Sequence, residues 1–328
     1  MAGCTAEAPP PPPAPLTELS GIQATGGIGV TALLATTAPT LFDADRGAAA
    51  TAPGYPGGDV RPAVVRVGKH VVLTVSPLYS RDAEPAEILE YTGPSSPPRS
   101  LGRAFSAGPD TGGEGVWLIR QDAPDTCRLE HVSLTAGALG PGQPASCRTR
   151  VRAETPHGLL ITINADSAES TDALVEPATG RTIRQAPRIL GAAGDWLLLD
   201  GLTDLTLVDL RDNSSKKLSR PSIGAAPTVV PSREGAIWAV DFANAAYRGT
   251  NTQTQDIWLL RPDGPTWDHA PGMPFITEHL GRGFDWSDAG DLVLADRVLA
   301  AWHPGEPQWR LSQAALPAGT WSGFAVLP

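Results

Sequence analysis

The sequence predicts an all-β fold: a ring of seven four-stranded antiparallel blades. Two observations predict it. A short apolar strand returns at a near-constant spacing, and a turn-rich composition separates the copies. The strand follows a turn residue at Gly29-Val30-Thr31-Ala32-Leu33-Leu34, and the pattern recurs at Val71, Val116, Leu159, Trp196, Ile237 and Leu292. From Val30 onward these seven anchors stand 41, 45, 43, 37, 41 and 55 residues apart. A blade of four strands takes about 40–50 residues, so seven anchors read as a seven-bladed β-propeller. Six or eight blades stay open as counts. A β-sandwich or two small β domains stay open as folds, but neither requires a period held from residue 30 to residue 292.

Most anchors are followed by a second strand and a turn. The clearest are Leu41-Phe42-Asp43, Ala173-Leu174-Val175, Leu205-Thr206-Leu207-Val208 and Ile257-Trp258-Leu259-Leu260. Short apolar runs bounded by Gly, Pro, Asp and Asn are a strand signature. With Gly 35 and Pro 33 in 328 residues, about a fifth of the chain suits turns. Blades are expected at 17–56, 57–101, 102–150, 151–187, 188–222, 223–276 and 277–319. The tail Thr320–Leu327 alternates like a strand. It is expected to close the ring by pairing in the first blade beside Val30–Leu34, which would remove an exposed sheet edge.

The stretch Phe284-Asp285-Trp286-Ser287-Asp288-Ala289-Gly290-Asp291-Leu292-Val293-Leu294 reads as strand, Asp/Gly turn, strand. It resembles the Trp-Ser-x-Asp-Gly phrase of TolB-like and YncE-like propeller blades. The bias to Ala, Gly and Pro, with three lysines against 22 arginines, resembles proteins of high-GC actinobacteria.

Met1-Ala2-Gly3-Cys4 resembles the end of a bacterial lipobox, which implies lipidation of Cys4. The run Ala8–Pro15 is proline-rich and therefore extended, about 3.1 Å per residue. Residues 1–16 are thus expected to be a lipoprotein-type start and tether, and 17–328 one propeller domain. The expected location is the extracellular face of the plasma membrane. Cys127 and Cys147 flank a strand and a turn that would bring them together. In an exported chain they are expected to pair, leaving Cys4 as the odd cysteine.

A net charge of −10 disfavours nucleic acid and anionic lipid surfaces as partners. Contact with a membrane is expected only through a lipid on Cys4, and the protein is expected to be a monomer. No Gly-x-Ser-x-Gly, His-Glu-x-x-His or phosphate-binding loop occurs in the sequence. The six histidines are scattered and read as ordinary blade residues. Asp285, Asp288 and Asp291 invite a calcium reading, but their place in a blade's own turn explains them as turn formers, so neither metal nor cofactor is expected. Of nine tryptophans, Trp117, Trp196, Trp238 and Trp258 fall in strand patterns and read as inter-blade core. The others are open between core and a sugar-stacking surface.

In the families resembled, binding usually sits on the face that carries the loops between second and third strands. Those loops offer Tyr79, Arg81 and Asp82, then Asp122 and Asp125, then Asp166 and Glu169. The longest, Asp241–Gln255, offers Asn244, Tyr247, Arg248, Asn251 and Gln253, and is expected to be mobile when free and to contribute to partner binding. The expected function is a non-catalytic binding or scaffold module for an extracellular protein or envelope glycan. The alternative is a secreted propeller enzyme, a metal-assisted lyase or hydrolase with its site at the channel mouth.

Overall fold

The computed structural model describes residues 27–56, 60–77, 84–165, 167–201, 203–222, 227–242, 256–272, 283–295, 298–317 and 321–328. Among these every regular element is a β-strand. Blade 1 holds β1 (Thr31–Leu34), β2 (Thr40–Asp43) and β3 (Ala48–Thr51). Blade 2 holds β4 (Val60–Val67), β5 (His70–Pro77), β6 (Ala86–Tyr91) and β7 (Arg99–Ala104). In blade 3, β8 (Ser106–Pro109), β9 (Gly115–Ala123) and β10 (Thr126–Ser133) are edged by a split strand, β11 (Gly137–Ala138) and β12 (Gln143–Ala145). Blade 4 runs through β13 (Arg150–Thr155), β14 (Gly158–Ile163), β15 (Thr171–Val175) and β16 (Thr182–Ala186). Blade 5 is β17 (Ile189–Ala193), β18 (Trp196–Asp200), β19 (Asp204–Asp209) and β20 (Ser215–Ser219). Blade 6 comprises β21 (Thr228–Pro231), β22 (Trp238–Asp241), β23 (Ile257–Arg261) and β24 (Thr266–His269). Blade 7 comprises β25 (Phe284–Trp286), β26 (Leu292–Ala295), β27 (Leu299–Trp302) and β28 (Arg310–Leu311). The last strand, β29 (Phe324–Val326), returns to blade 1 and lies beside β1, giving the order β29-β1-β2-β3.

This is a seven-bladed propeller closed by its C-terminal strand. The closing register is Ala32↔Val326, Leu33↔Ala325 and Leu34↔Phe324, beside the stretch that the sequence indicated. The inner strands β29, β4, β8, β13, β17, β21 and β25 touch one another in that cyclic order and surround the axis. Six of the seven anchors lie on or directly before the second strand of their blade, and Val30 directly precedes β1, which holds the same place in blade 1. Two expected boundaries shift slightly: β7 runs past 101 to Ala104, and β13 starts at Arg150.

The apolar runs are explained by where the core sits. A strand with both faces covered reads as a near-continuous apolar run. In β1, Ala32 and Leu34 pack on Val293 and Ala295 of blade 7, while Leu33 packs on Val71 and Leu73 of blade 2. In β26, Leu292 and Leu294 face blade 6 and Val293 and Ala295 face blade 1. Each of the seven blade junctions has such a buried cluster, so the core is a ring of seven slabs. Fully burying one Leu, Val or Ile is worth roughly 1.5–3 kcal/mol. The outer strands are polar where they meet water, as in the exposed Lys216 and Lys217 of β20. Charged residues on an edge discourage pairing with another chain.

Among the described residues, arginines stitch neighbouring blades by donating to backbone carbonyls. Arg66 reaches Val326 O, Arg99 reaches Leu134 O, and Arg233 reaches Trp286 O. Arg120 donates to Leu101 O at 2.6 Å and Arg152 to Leu190 O at 2.8 Å. A guanidinium presents several donors in a rigid fork and spans such gaps; an ammonium is a point charge on a flexible stem. The arginine bias therefore has a structural use beyond composition.

Cys127 and Cys147 form a disulfide with Cα atoms 5.1 Å apart, tying β10 to the chain just after β12. Closing a loop of that length is worth about 3 kcal/mol in the entropic model. Cys4 and the proline run lie outside the described residues. Among the described residues no helix is long and apolar enough to cross a membrane.

Candidate functional site

In blades 2 to 7 the turn from first to second strand lies at one end of the ring and the loop from second to third strand at the other. The sequence pointed to the second end. Of its candidates, Asp122 lies on β9 and pairs with Arg128 across the hairpin to β10, its carboxylate half exposed. Glu169 is exposed in the turn before β15. Tyr79, Arg81, Asp82, Asp166, Asn244, Tyr247, Arg248, Asn251 and Gln253 lie outside the described residues. Asp122, at the end of β9, and Glu169, in the turn before β15, thus sit at the same end of two neighbouring blades.

The base of the longest loop is described. Asp241 ends β22, and its Oδ1 accepts the Asp256 amide at 3.0 Å. Desolvation pushes the Asp241 carboxyl up to about 7; the Asp256 amide opposes this shift and the Asp256 charge adds to it. A folded pKa above the unfolded value of 3.8 means that this group's contribution is best below 3.8 and is lost as pH rises towards 7. Between pH 5 and pH 8 the loss should be on the order of 2 kcal/mol. Asp241→Asn keeps an oxygen for the Asp256 amide and carries no charge. Urea unfolding at both pH values should show the variant gaining on the wild type by that amount at pH 8; parallel curves would refute the assignment.

The opposite end holds a cavity of about 620 Å³ on the axis, the mouth of the central channel, with walls from blades 2 to 7. Its rim is built from first-to-second-strand turns, which meet there. The turn of blade 2 at Gly68 and that of blade 3 at Gly113 both use left-handed glycines, φ +55° and +68°. A Cβ on Gly68 would lie 2.4 Å from Gly113 O, and one on Gly113 would lie 2.9 Å from Gly68 Cα. Only glycine supplies both the conformation and the clearance.

One side of the mouth is charged. Arg66 of β4, its side chain 8% exposed, donates from Nη2 to Asp288 Oδ1 at 2.6 Å. Arg233 of blade 6 donates to Asp285 Oδ2 at 3.0 Å, and its Nε lies 3.6 Å from Asp288 Oδ1. Burial, then the neighbouring Arg233 charge, lower the Arg66 pKa, with Asp285 and Asp288 opposing. Guanidinium stays charged throughout the physiological range. On the far side, Glu154 accepts the Thr111 amide at 3.1 Å.

The five histidines among the described residues each bond a carboxylate; His279 lies outside them. His70 bonds Glu90 at 2.9 Å, His131 Asp110 at 3.2 Å, His157 Asp195 at 2.7 Å, His269 Asp256 at 2.7 Å and His303 Asp291 at 2.9 Å. His131 also stacks on Trp117, centroids 4.4 Å apart, and the His269 ring lies 4.3 Å from that of Trp258. The three aspartates that invited calcium are divided among basic side chains. Asp285 faces Arg233, Asp288 faces both arginines, and Asp291 faces His303 and Arg310. Among the described residues no three His, Cys, Asp or Glu side chains converge as metal ligands do.

Trp238 and Trp258 are buried as expected, and the half-buried Trp117 and Trp196 pack against the clusters between blades 3 and 4 and between blades 5 and 6. Trp286, Trp302, Trp309 and Trp321, left open between core and surface, are all buried. Trp286 Nε1 donates across the blade junction to Val230 O at 2.9 Å. These rings are packed between or within blades, which removes them from a sugar-stacking surface.

No family model matches the chain, and no curated protein sequence does. Solved structures do. The periplasmic gluconolactonase of Pseudomonas aeruginosa superposes with a TM-score of 0.55 at 11% identity, covering 91% of this chain and 99% of that one. A putative 6-phosphogluconolactonase from Bacteroides fragilis gives 0.54 at 10% identity, covering 91% and 98%. TolB from Acinetobacter baumannii gives 0.47 at 11% identity, covering 91% of this chain and 66% of that one, which is too loose to argue from. At these identities the likeness is one of fold, and a fold hosts many functions.

Proposed function

We propose that this protein is a binding module of the cell envelope, held outside the membrane by a lipid on Cys4, and that its ligand docks at the axial mouth. The observation that supports this is the mouth itself: a concave site on the axis, walled by six blades, with backbone groups and charged side chains converging on it. Its lining has no aromatic ring among the described residues, which favours a protein segment over an envelope glycan. The test compares charge reversals at the two ends of the ring. Lys69→Glu with Glu234→Lys should weaken retention of the envelope component held by the wild type at least tenfold. Asp122→Arg with Glu169→Arg, at the other end, should leave it unchanged. The reverse pattern would move the site to the long-loop face.

A second reading is a hydrolase, favoured by the near full-length superposition on two proteins described as lactonases. Lactone hydrolysis adds water across an ester and releases a carboxylic acid. A pH-stat assay with D-gluconolactone discriminates: acid release above the buffer rate supports the hydrolase, and release at the buffer rate leaves the binding module.

A further inference from the structure

We propose that Arg66 and Arg233 form a carboxylate-binding site in the axial mouth, which the protein's own Asp288 occupies until a ligand carboxylate displaces it. The inference rests on the reading of the mouth as the ligand site and names the group that the mouth takes.

Three observations carry it. First, both guanidiniums are held in place without Asp288. Arg66 donates from Nε to Gly68 O at 2.9 Å and from Nη1 to Val326 O. Arg233 is fixed by Asp285 and Trp286 O. If Asp288 swings away, both cations remain where they are. Second, the turn that carries Asp288 closes without its side chain. Gly290 donates to Ser287 O at 3.1 Å, Ser287 to Asp291 O at 2.8 Å, and the Asp291 amide to Ser287 Oγ at 3.0 Å. The Asp288 carboxylate is 49% exposed and faces solvent in the cavity, so releasing it breaks only its contacts with the two arginines. Third, the two cations oppose each other electrostatically, so a site emptied of Asp288 favours another anion.

The resident group is itself a carboxylate on two guanidiniums, which sets the chemical class. Arg66 Nη2 and Arg233 Nε face the resident group, and a carboxylate's two oxygens suit one donor from each guanidinium. Lys69 adds a further cation to the wall, while Glu154, Glu234 and Asp110 add negative charge. Asp110 is taken up by His131 and the Glu114 amide, and Glu154 by Thr111. The wall therefore penalises a ligand carrying much negative charge and suits one isolated carboxylate. That carboxylate has two sources: a small organic acid or the C-terminus of a peptide.

The test is calorimetric titration at fixed ionic strength with acetate, with a short neutral peptide bearing a free C-terminus, and with the same peptide amidated. Asp288→Asn should bind a free carboxylate at least tenfold more tightly than the wild type, since the internal competitor is gone. A gain with acetate and peptide alike assigns a bare carboxylate; a gain with the peptide alone assigns a chain terminus. The amidated peptide should gain nothing. Asp288→Asn with Arg233→Gln should lose the gain, provided that its melting remains cooperative; Arg233→Lys is the substitute if it does not. Equal affinity of Asp288→Asn and the wild type, a gain that survives loss of the Arg233 guanidinium, or equal gain for the amidated peptide would overturn the proposal. Those outcomes leave the charge-reversal comparison standing, so failure of the carboxylate site is distinguishable from failure of the mouth.

Discussion

Truncation after residue 320 is expected to abolish cooperative unfolding and leave a chain that aggregates. The removed segment supplies β29, the innermost strand of blade 1, which carries the chain from the last blade back to the first. Trp321, Ala325 and Val326 are buried in two blade junctions, and Trp321 packs edge-on against Phe324. Burial of the Trp and Val side chains alone is worth about 5 kcal/mol. A domain's whole stability is typically about 5–15 kcal/mol. The loss also strips β1 of its neighbour, exposing an apolar strand edge on the axis. Differential scanning calorimetry and light scattering on the truncated chain check this. A single cooperative transition at the wild-type temperature would show that the ring does not depend on its closing strand.

The blade count and the closing strand were legible because both follow from local chemistry repeated at a period. A middle strand buried on both sides reads as a short apolar run, so Val71–Leu73 and Leu197–Leu198 announce themselves without an alignment. The disulfide was legible for a similar reason, since the strand and turn between Cys127 and Cys147 fold back locally. The axial mouth was not. It is assembled from turns of a few residues, such as Gly68-Lys69 and Ser232-Arg233-Glu234-Gly235, each of which reads as ordinary turn chemistry. Only ring closure brings them within reach of one another. Arg66 is a polar residue of β4 with nothing local to mark it, yet it bonds Val326, far away in sequence. Length drew attention to the loops at the other end, and length marks where a loop is able to vary, which is a separate matter from where a cavity forms. Trp309 stayed open between core and surface because it follows a Pro- and Gly-rich stretch; its indole is buried and donates to Pro271 O at 3.1 Å, a contact between blades.

Asp285→Ala is expected to be the most damaging single substitution near the axis. The side chain is 12% exposed and serves three partners at once. Oδ2 accepts the Val326 amide of the closing strand at 2.8 Å and the Arg233 guanidinium at 3.0 Å, while Oδ1 accepts the Trp286 amide at 2.8 Å. Alanine leaves a buried amide without its acceptor and a guanidinium with less counter-charge. Breaking such a buried pair by removing one partner costs about 3–5 kcal/mol. The closing strand should feel the change first, so hydrogen exchange at the Val326 amide should accelerate well beyond that of amides in blade 4. Asp285→Asn keeps an oxygen for Val326 but not the charge for Arg233, and should fall between alanine and the wild type. A cycle with Arg233→Met separates the two roles. If the pair matters as a pair, the double variant loses less than the sum of the singles, by about 1–3 kcal/mol in urea unfolding. Additive losses would mean that Asp285 acts chiefly through the backbone of the closing strand. An alanine variant within about 0.5 kcal/mol of the wild type, the range of ordinary surface substitutions, would remove Asp285 from the closure altogether.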